Sequence, residues 1–470
     1  MKNLVEQIYT GCLAQGAYYI ESKGEAAIID PLRETAPYIK MAEERGAKIK
    51  YVFETHFHAD FVSGHVDLAK KTGATIVYGP TAQTTYDVHV ATDNEEFKIG
   101  DYTITVLHTP GHTMESSTFL LKGADGKPQA IFTGDTLFIG DVGRPDLAVK
   151  SDELTKEDLA GMLFDSLHNK ILPLPNDVIV YPGHGAGSAC GKNISKETTD
   201  TLGNQKKTNY ALQDLSKDEF IKQVTNGILP PPQYFAKNAM LNKKGYEAID
   251  EVLAKGLNAL TPDAFEKAPQ KEGVLILDTR APQEFNKGFV KGAINIGLSG
   301  KFAGWVGALI EDLKTPILLV TDEGSEEEAV TRLSRVGYDN PIGFLKGGFK
   351  SWENAGKTVD SIKSIPATAL EEKMKEGTVS ILDVRNPNEY LSQHIEGAVN
   401  FPLDYINEHL NELDKDQPFY LHCAGGYRSM IATSILRKQG YHNIVDVTGG
   451  FGAIKETGIQ LTAYVCPSTL

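Results

Sequence analysis

Thr55-His56-Phe57-His58-Ala59-Asp60-Phe61 packs three potential metal ligands into five residues and then places Phe where a fourth ligand is expected. In a His-x-His-x-Asp-His loop the two His can serve one metal and the Asp-His pair a second, so a hydrolase can hold a water between two ions. With Phe61 in the last place the second site loses a nitrogen ligand, and a single metal is expected. The other parts of such a site follow in order: Thr109-Pro110-Gly111-His112-Thr113, Phe132-Thr133-Gly134-Asp135-Thr136 and Tyr181-Pro182-Gly183-His184-Gly185. Each motif comes after a short apolar run that reads as a strand, at residues 49–53, 102–107, 130–132 and 178–180. Ligands on loops at strand ends stand on rigid supports, and Gly lets the backbone turn sharply beside an ion. Any one of these His could be an ordinary surface or core residue, but the set in this order reads as a metal centre.

At 470 residues the chain is long enough for about three domains. A hydrophobic content of 41% suffices for several cores, and no apolar run approaches the roughly 20 residues that span a bilayer. Met1-Lys2-Asn3-Leu4-Val5-Glu6-Gln7 has no apolar stretch of the secretory kind. Four Cys in a chain of this size do not make a disulfide framework, which fits a reducing cytoplasm. The formal net charge of -15 argues against nucleic-acid and anionic-membrane partners.

The second half repeats itself. Leu277-Asp278-Thr279-Arg280, Gln283-Glu284-Phe285 and Gly292-Ala293-Ile294-Asn295 recur as Leu382-Asp383-Val384-Arg385, Asn388-Glu389-Tyr390 and Gly397-Ala398-Val399-Asn400, with Glu389 lying 105 residues after Glu284. A period this long marks a duplicated domain, since solenoid units run about 20 to 50 residues. After the apolar strand Phe419-Tyr420-Leu421 the second copy carries His422-Cys423-Ala424-Gly425-Gly426-Tyr427-Arg428-Ser429, then a helical run from Met430 to Lys438. Backbone N–H groups of such a loop, with the positive end of the helix, stabilise a thiolate or persulfide anion at Cys423. Arg428 adds a full positive charge for an anionic sulfur donor or acceptor. Matching the ends of the two apolar strands puts Asp322 of the first copy opposite Cys423, so this copy is expected to be catalytically dead.

Over its first half the chain resembles the metallo-β-lactamase superfamily. Within that superfamily the Thr55 to Asp60 stretch with Ser63-Gly64 looks most like the persulfide dioxygenases rather than the two-zinc glyoxalase II enzymes. The resemblance implies one Fe(II) per chain, held by His56, His112 and Asp135, and no nucleotide cofactor. Two His and one carboxylate leave positions open for dioxygen and a substrate sulfur. Spacing alone makes His58 a ligand; the family instead gives His58, Asp60 and His184 to orienting ligands and waters by hydrogen bonds. Most persulfide dioxygenases carry His at the place of Phe61, where it does not bind iron, so the departure weakens hydrolysis more than oxygenation.

Both repeats resemble the rhodanese domain. Cys423 and Arg428 are separated by four residues, whereas the related phosphatases use five to enclose a larger phosphate, so sulfur transfer is preferred. The resemblance gives substrate contacts to Gly425, Gly426 and Ser429 as well as Arg428. The expected architecture is α/β multidomain: an αββα metallo-β-lactamase sandwich followed by two α/β rhodanese domains. Its expected bounds are 1–235, a helical linker at 236–261, an inactive rhodanese at 262–360 and an active one at 365–470.

This order resembles the fused persulfide dioxygenase–sulfurtransferases of bacterial sulfide detoxification. Such a resemblance implies a low-molecular-weight thiol persulfide of glutathione, coenzyme A or bacillithiol type, with O2, sulfite and thiosulfate as further partners, and a homo-oligomer. An acidic protein must meet these anions with local Arg and Lys. Cys190, six residues beyond His184, matches the motif that carries a reactive Cys in the fused family; a packed thiol is the alternative. Arg144 is read either as a contact for a substrate carboxylate or as a brace of the metal loop through Asp146. The rival functions are a glyoxalase II-like thioester hydrolase fused to a sulfurtransferase, and a non-oxidative sulfur carrier or persulfide sensor.

Overall fold

Residues 5–149, 153–268, 273–377 and 379–466 are described in the computed structural model; of the amino-terminal stretch read for a leader, residues 1–4 lie outside them. The chain divides into one unit formed by Met1–Ile249 with Ser334–Gly337 and another formed by Asp250–Leu333 with Tyr338–Leu470.

The first unit contains two six-stranded sheets. One runs in the order β1 (Val5–Thr10), β2 (Gln15–Ser22), β3 (Glu25–Ile29), β4 (Lys48–Glu54), β5 (Thr75–Tyr78) and β6 (His89–Val90). The other is built from β7 (Glu96–Ile99), β8 (Tyr102–His108), β9 (Ser117–Lys122), β10 (Pro128–Gly134), β11 (Ile179–Pro182) and β12 (Asp200–Thr201), each beside its neighbour in sequence. Side chains alternate with the strand period of two. Tyr18 and Ile20 enter the core between the sheets, with Phe53, Phe119 and Phe132, while Ala17 and Tyr19 pack with Tyr38, Ala42 and Leu68 of the helices Ala36–Arg45 and His65–Thr72. Beyond the second sheet, Leu120, Ile131 and Val180 pack on Leu163 of the helix Lys156–Ser166 and Phe220 of the helix Lys217–Thr225. The layers are therefore helix, sheet, sheet, helix. Thr155 and Asp158 close a capping box at the start of the helix Lys156–Ser166; Leu159, Leu163 and Leu167 are buried, while Met162 is only half-buried.

The first unit does not stop at 235. The helix Phe235–Lys244 and the chain to Ile249 belong to it, because Asn242 of that helix is fully buried against the metal loop. Only the later part of the 236–261 stretch joins the second unit.

In the second unit the repeat is visible strand by strand. Its strands are β13 (Ala259–Leu260), β14 (Leu275–Asp278), β15 (Phe289–Val290), β16 (Ile294–Asn295), β17 (Ile317–Val320), β18 (Pro341–Leu345), β19 (Val359–Asp360), β20 (Lys363–Pro366), β21 (Ser380–Asp383), β22 (Val399–Asn400), β23 (Phe419–His422) and β24 (Ile444–Thr448). Two five-stranded sheets share one order, β13-β18-β17-β14-β16 and β20-β24-β23-β21-β22, and every pairing within them is parallel. The repeated motifs hold the scaffold. Arg280 forks onto Asp278 at 2.6–3.1 Å and Arg385 onto Asp383 at 2.5–3.0 Å. The Asn295 amide spans the carbonyls of Asp278 and Arg280 as the Asn400 amide spans those of Asp383 and Arg385, all at 2.9–3.0 Å.

Sheet register corrects one expectation. Asp278 pairs with Val320, and its repeat partner Asp383 pairs with His422. Val320 is thus the equivalent of His422, and Thr321, not Asp322, stands where Cys423 stands. The neighbouring strand sets the register, while the ends of the apolar runs differ by one residue between the copies. Thr321 is buried and Asp322 exposed, and neither offers a nucleophilic sulfur. No helix among the described residues is long and apolar enough to cross a membrane.

Candidate metal centre and cysteine loop

Strands β4, β8, β10 and β11 each run into one ligand-bearing loop, and the loops converge. His56, His112 and Asp135 are buried, with ligand atoms within 4.8 Å of one another. His112 Nε2 lies 3.4 Å and His56 Nε2 3.9 Å from the same oxygen, Asp135 Oδ2. Neighbouring groups decide which ring nitrogen is free. A carbonyl can only accept, so His112 donates from Nδ1 to Arg144 O at 2.9 Å, and His184 from Nδ1 to Ala14 O at 3.2 Å. The Thr55 hydroxyl donates to Asp30 Oδ2 at 2.9 Å, so its oxygen accepts from His56 Nδ1 at 2.9 Å. Each ring, when neutral, therefore carries its proton on Nδ1 and turns Nε2 inward as the nitrogen a metal would take. Burial pushes the pKa of His56 well down and favours that neutral ring.

His112 Nε2 and both carboxylate oxygens of Asp135 are buried without a hydrogen-bond partner. Such groups are costly to bury alone, and a cation satisfies all of them at once. The residues fit a bound metal. His58, Asp60 and His184 form a second group of the same span, with His184 Nε2 3.4 Å from Asp60 Oδ2 and 3.5 Å from Asp135 Oδ1. Burial pulls the pKa of His184 down, but Asp60 and Asp135 outweigh it and the balance is upward. His58 turns Nε2 to Asp30 Oδ1 at 3.1 Å and Glu54 Oε2 at 3.6 Å. The fully buried Phe61 ring lies 4.3 Å from the His58 ring, so carbon stands where the loop pattern calls for nitrogen. If the missing nitrogen is what keeps an ion out of the His58–Asp60–His184 group, Phe61→His raises bound metal by about one ion per chain, read by elemental analysis after metal loading. An unchanged metal content would mean that Asp60 and His184 only orient the centre.

Cys190 joins this centre: with Asp135 and His184 it makes a third buried group. Burial, followed by the charges of Asp60 and Asp135, pushes its thiol well up; a cation on Asp135 offsets that charge. Arg144 acts as a brace. Its guanidinium is bound by both oxygens of Asp146 at 2.6 and 2.8 Å and by the carbonyls of Ala189 and Leu229, which leaves little of it for a substrate carboxylate. A Cβ on Gly183 would sit 2.6 Å from Asp135 Oδ1, so only Gly lets the His184 loop approach so closely. Sequence reasoning missed Asn242. Its amide donates to the carbonyls of His58 and Phe61 at 2.7 and 2.8 Å and its oxygen accepts from Ser63 N at 2.9 Å. No local signal marks it, because its partners lie 179 to 184 residues away.

In the second unit, Gly426 N donates to Cys423 Sγ at 3.1 Å, and Gly426 adopts a φ of 102° that favours Gly. Gly425 is exposed on the rim of the loop. Ser429 points elsewhere: its hydroxyl donates to Asp446 Oδ1 at 2.6 Å, and burial pushes the Asp446 carboxyl up to about 6. The charge expected of Arg428 is already matched, since its two terminal nitrogens fork onto Glu389 at 2.6 and 2.8 Å. Burial alone would raise the pKa of Glu389, but Arg428 outweighs it and holds the carboxylate down. Glu389→Gln frees the guanidinium and is expected to lower KM for an anionic substrate of this loop about fivefold, a change of about 1 kcal/mol. A raised KM would show instead that Glu389 serves to aim Arg428.

Comparison with known proteins agrees with this fold. The metallo-beta-lactamase superfamily model matches residues 10–184, and the rhodanese-like domain matches twice, at 261–355 and 366–457. Human "Persulfide dioxygenase ETHE1, mitochondrial" is 32% identical over 211 residues, 44% of this chain and 74% of that protein. "Hydroxyacylglutathione hydrolase cytoplasmic" of Arabidopsis thaliana is 33% identical over 178 residues, 37% of this chain and 65% of that protein. A metallo-beta-lactamase crystal structure from Staphylococcus aureus subsp. aureus COL is 32% identical, with a TM-score of 0.63, and the match covers 73% of this chain and 98% of that one.

Proposed function

Because the chain belongs to the metallo-beta-lactamase superfamily, with persulfide dioxygenases among its relatives and two rhodanese-like domains behind that fold, we propose that it is a persulfide dioxygenase–sulfurtransferase. In the first unit a thiol persulfide, dioxygen and water give thiol, sulfite and two protons. In the second, a further persulfide and sulfite give thiol and thiosulfate. The observation that carries this reading is the buried trio His56, His112 and Asp135, with unpartnered donor atoms at its centre, and the neighbouring His58–Asp60–His184 group has Phe61 in place of a further nitrogen. Fe(II) held there would supply open positions for dioxygen and a substrate sulfur. Thr55 and the Arg144 carbonyl hold the ligand rings in register, and Asn242 closes the loop beneath them. Cys190 stands at Asp135, where it can relay a sulfane sulfur.

Cys423 attacks the sulfane sulfur of the persulfide, the S–S bond breaks and the carrier thiol leaves. The sulfur of sulfite then attacks the terminal sulfur of the Cys423 persulfide, forming thiosulfate and returning the thiolate. Glutathione, coenzyme A and bacillithiol are the carriers of choice. A reducing cytoplasm fits Cys12, Cys190 and Cys423, which form no disulfide, and a homo-oligomer is proposed with it from the resemblance to the fused family alone.

Thioester hydrolysis is the second reading. It is favoured by the His58–Asp60–His184 group and the hydroxyacylglutathione hydrolase relatives, and it is opposed by Phe61. The deciding measurement is dioxygen uptake by the iron-loaded protein with glutathione and coenzyme A persulfides, run beside the loss of a thioester's absorbance. Uptake that yields sulfite or thiosulfate supports the proposal. Thioester loss without uptake would put the hydrolase first.

A further inference from the structure

The helix Tyr427–Lys438, which carries the catalytic loop of the second repeat, is buried at every position from Ser429 to Leu436. A helix lying on its own sheet ordinarily keeps one polar face in water. Here the first repeat covers that face. Met430 is counted in the first repeat's core, with Phe285, Phe289 and Leu318. Ser434 Oγ accepts from the backbone N–H of Asn295 in β16 at 2.9 Å. The decisive contact is made by the loop itself: Tyr427, between Gly426 and Arg428, donates its hydroxyl to the carbonyl of Gly297 at 2.7 Å.

The turn that receives it is shaped for the ring. A Cβ on Gly300 would fall 2.3–2.8 Å from three carbons of the Tyr427 ring, so a side chain there would displace it. The turn is also held from behind, where Arg332 Nη1 donates to Leu298 O at 2.6 Å and Leu298 N donates to Thr279 O at 3.0 Å. The hydrogen bond from Gly426 N to Cys423 Sγ depends on the backbone one residue before Tyr427.

We propose that the inactive repeat is a positioning element for sulfur transfer: the turn Gly297–Gly300 seats Tyr427 and so holds the Gly426 N–H on the Cys423 sulfur. Tyr427 is a positioning residue that acts through the loop. This inference rests on the sulfur-transfer reading of Cys423. It also accounts for a repeat that has lost its nucleophile yet keeps its whole Asp278–Arg280–Asn295 scaffold.

The test uses the full-length, iron-loaded protein. Tyr427→Phe keeps the ring and removes the hydroxyl. It is expected to slow iodoacetamide alkylation of Cys423, followed by the mass of its peptide, about fivefold, as loss of one hydrogen bond allows. The kcat for thiosulfate formation from persulfide and sulfite should fall by a similar factor, with KM for sulfite within twofold of wild type. Dioxygen uptake should not change. Gly300→Ala should act in the same direction by pushing on the ring. If both variants keep Cys423 alkylation and kcat within twofold of wild type and lose only thermal stability, the contact is packing and the proposal falls. A wild-type protein that makes no thiosulfate would sink the sulfur-transfer reading instead, and the alkylation comparison would still decide whether Tyr427 positions Cys423.

Discussion

His112→Ala is expected to abolish dioxygen uptake with any persulfide carrier and to leave the purified protein with little iron. The expectation follows from the donor set. His112 Nε2 has no protein partner and faces Asp135 Oδ2 at 3.4 Å, so a metal is the group its lone pair serves. Removing it leaves His56 and Asp135, and two ligands hold a divalent ion poorly. A bound metal supplies several kcal/mol of rate enhancement, and each 1.4 kcal/mol is a factor of ten, so the loss should be roughly a thousandfold or more. The fold should survive. Besides the metal, the ring contributes one hydrogen bond from Nδ1 to Arg144 O, worth about 1 kcal/mol. Thiosulfate formation from added persulfide and sulfite should persist, because Cys423 belongs to the other unit. Equal uptake by mutant and wild type would remove the dioxygenase reading for the carriers tried.

Cys423→Ser should reverse that pattern: dioxygen uptake continues at the wild-type rate, thiosulfate no longer forms, and sulfite accumulates in its place. Serine keeps the shape of the side chain but cannot carry a sulfane sulfur. The loop should stay folded, because Phe451 N donates to the Cys423 backbone carbonyl at 2.7 Å and Gly452 N to that of Ala424 at 3.0 Å. Turnover through a covalent persulfide should therefore fall on the order of a thousandfold, the scale of losing a covalent nucleophile. Ion chromatography of the products separates the outcomes. Thiosulfate at the wild-type rate would show that Cys423 is not the sulfur carrier. A matching loss of dioxygen uptake would show that the two units do not work independently.

Much of the metal centre was legible in the chain because its information is local. His56, His112, Asp135 and His184 each follow a strand whose apolar pattern shows in a few residues, and β4, β8, β10 and β11 form there. The duplicated Asp-x-Arg and Gly-Ala-x-Asn motifs were equally plain, since each holds its own strand ends together. Other readings failed where the partner is distant in sequence. Asn242 looked like part of a linker, yet it clamps the metal loop. Asp322 looked like the counterpart of Cys423 until pairing with β14 moved the position to Thr321. Arg428 looked free to meet an anion, although Glu389, 39 residues earlier, holds it.

By itself, then, the sequence determined which ligand types are present, in what order, on what strand supports, and that only the second repeat keeps a cysteine loop. These are properties of covalent spacing and of the period of apolar residues, and they need no knowledge of packing. Tertiary structure alone decided which donors share a centre, that Cys190 stands beside Asp135, and that the first repeat reaches the catalytic loop through Gly297. Such contacts join segments tens to hundreds of residues apart, and they exist only once burial has brought those segments together and left each polar atom either to find a partner or to wait for an ion.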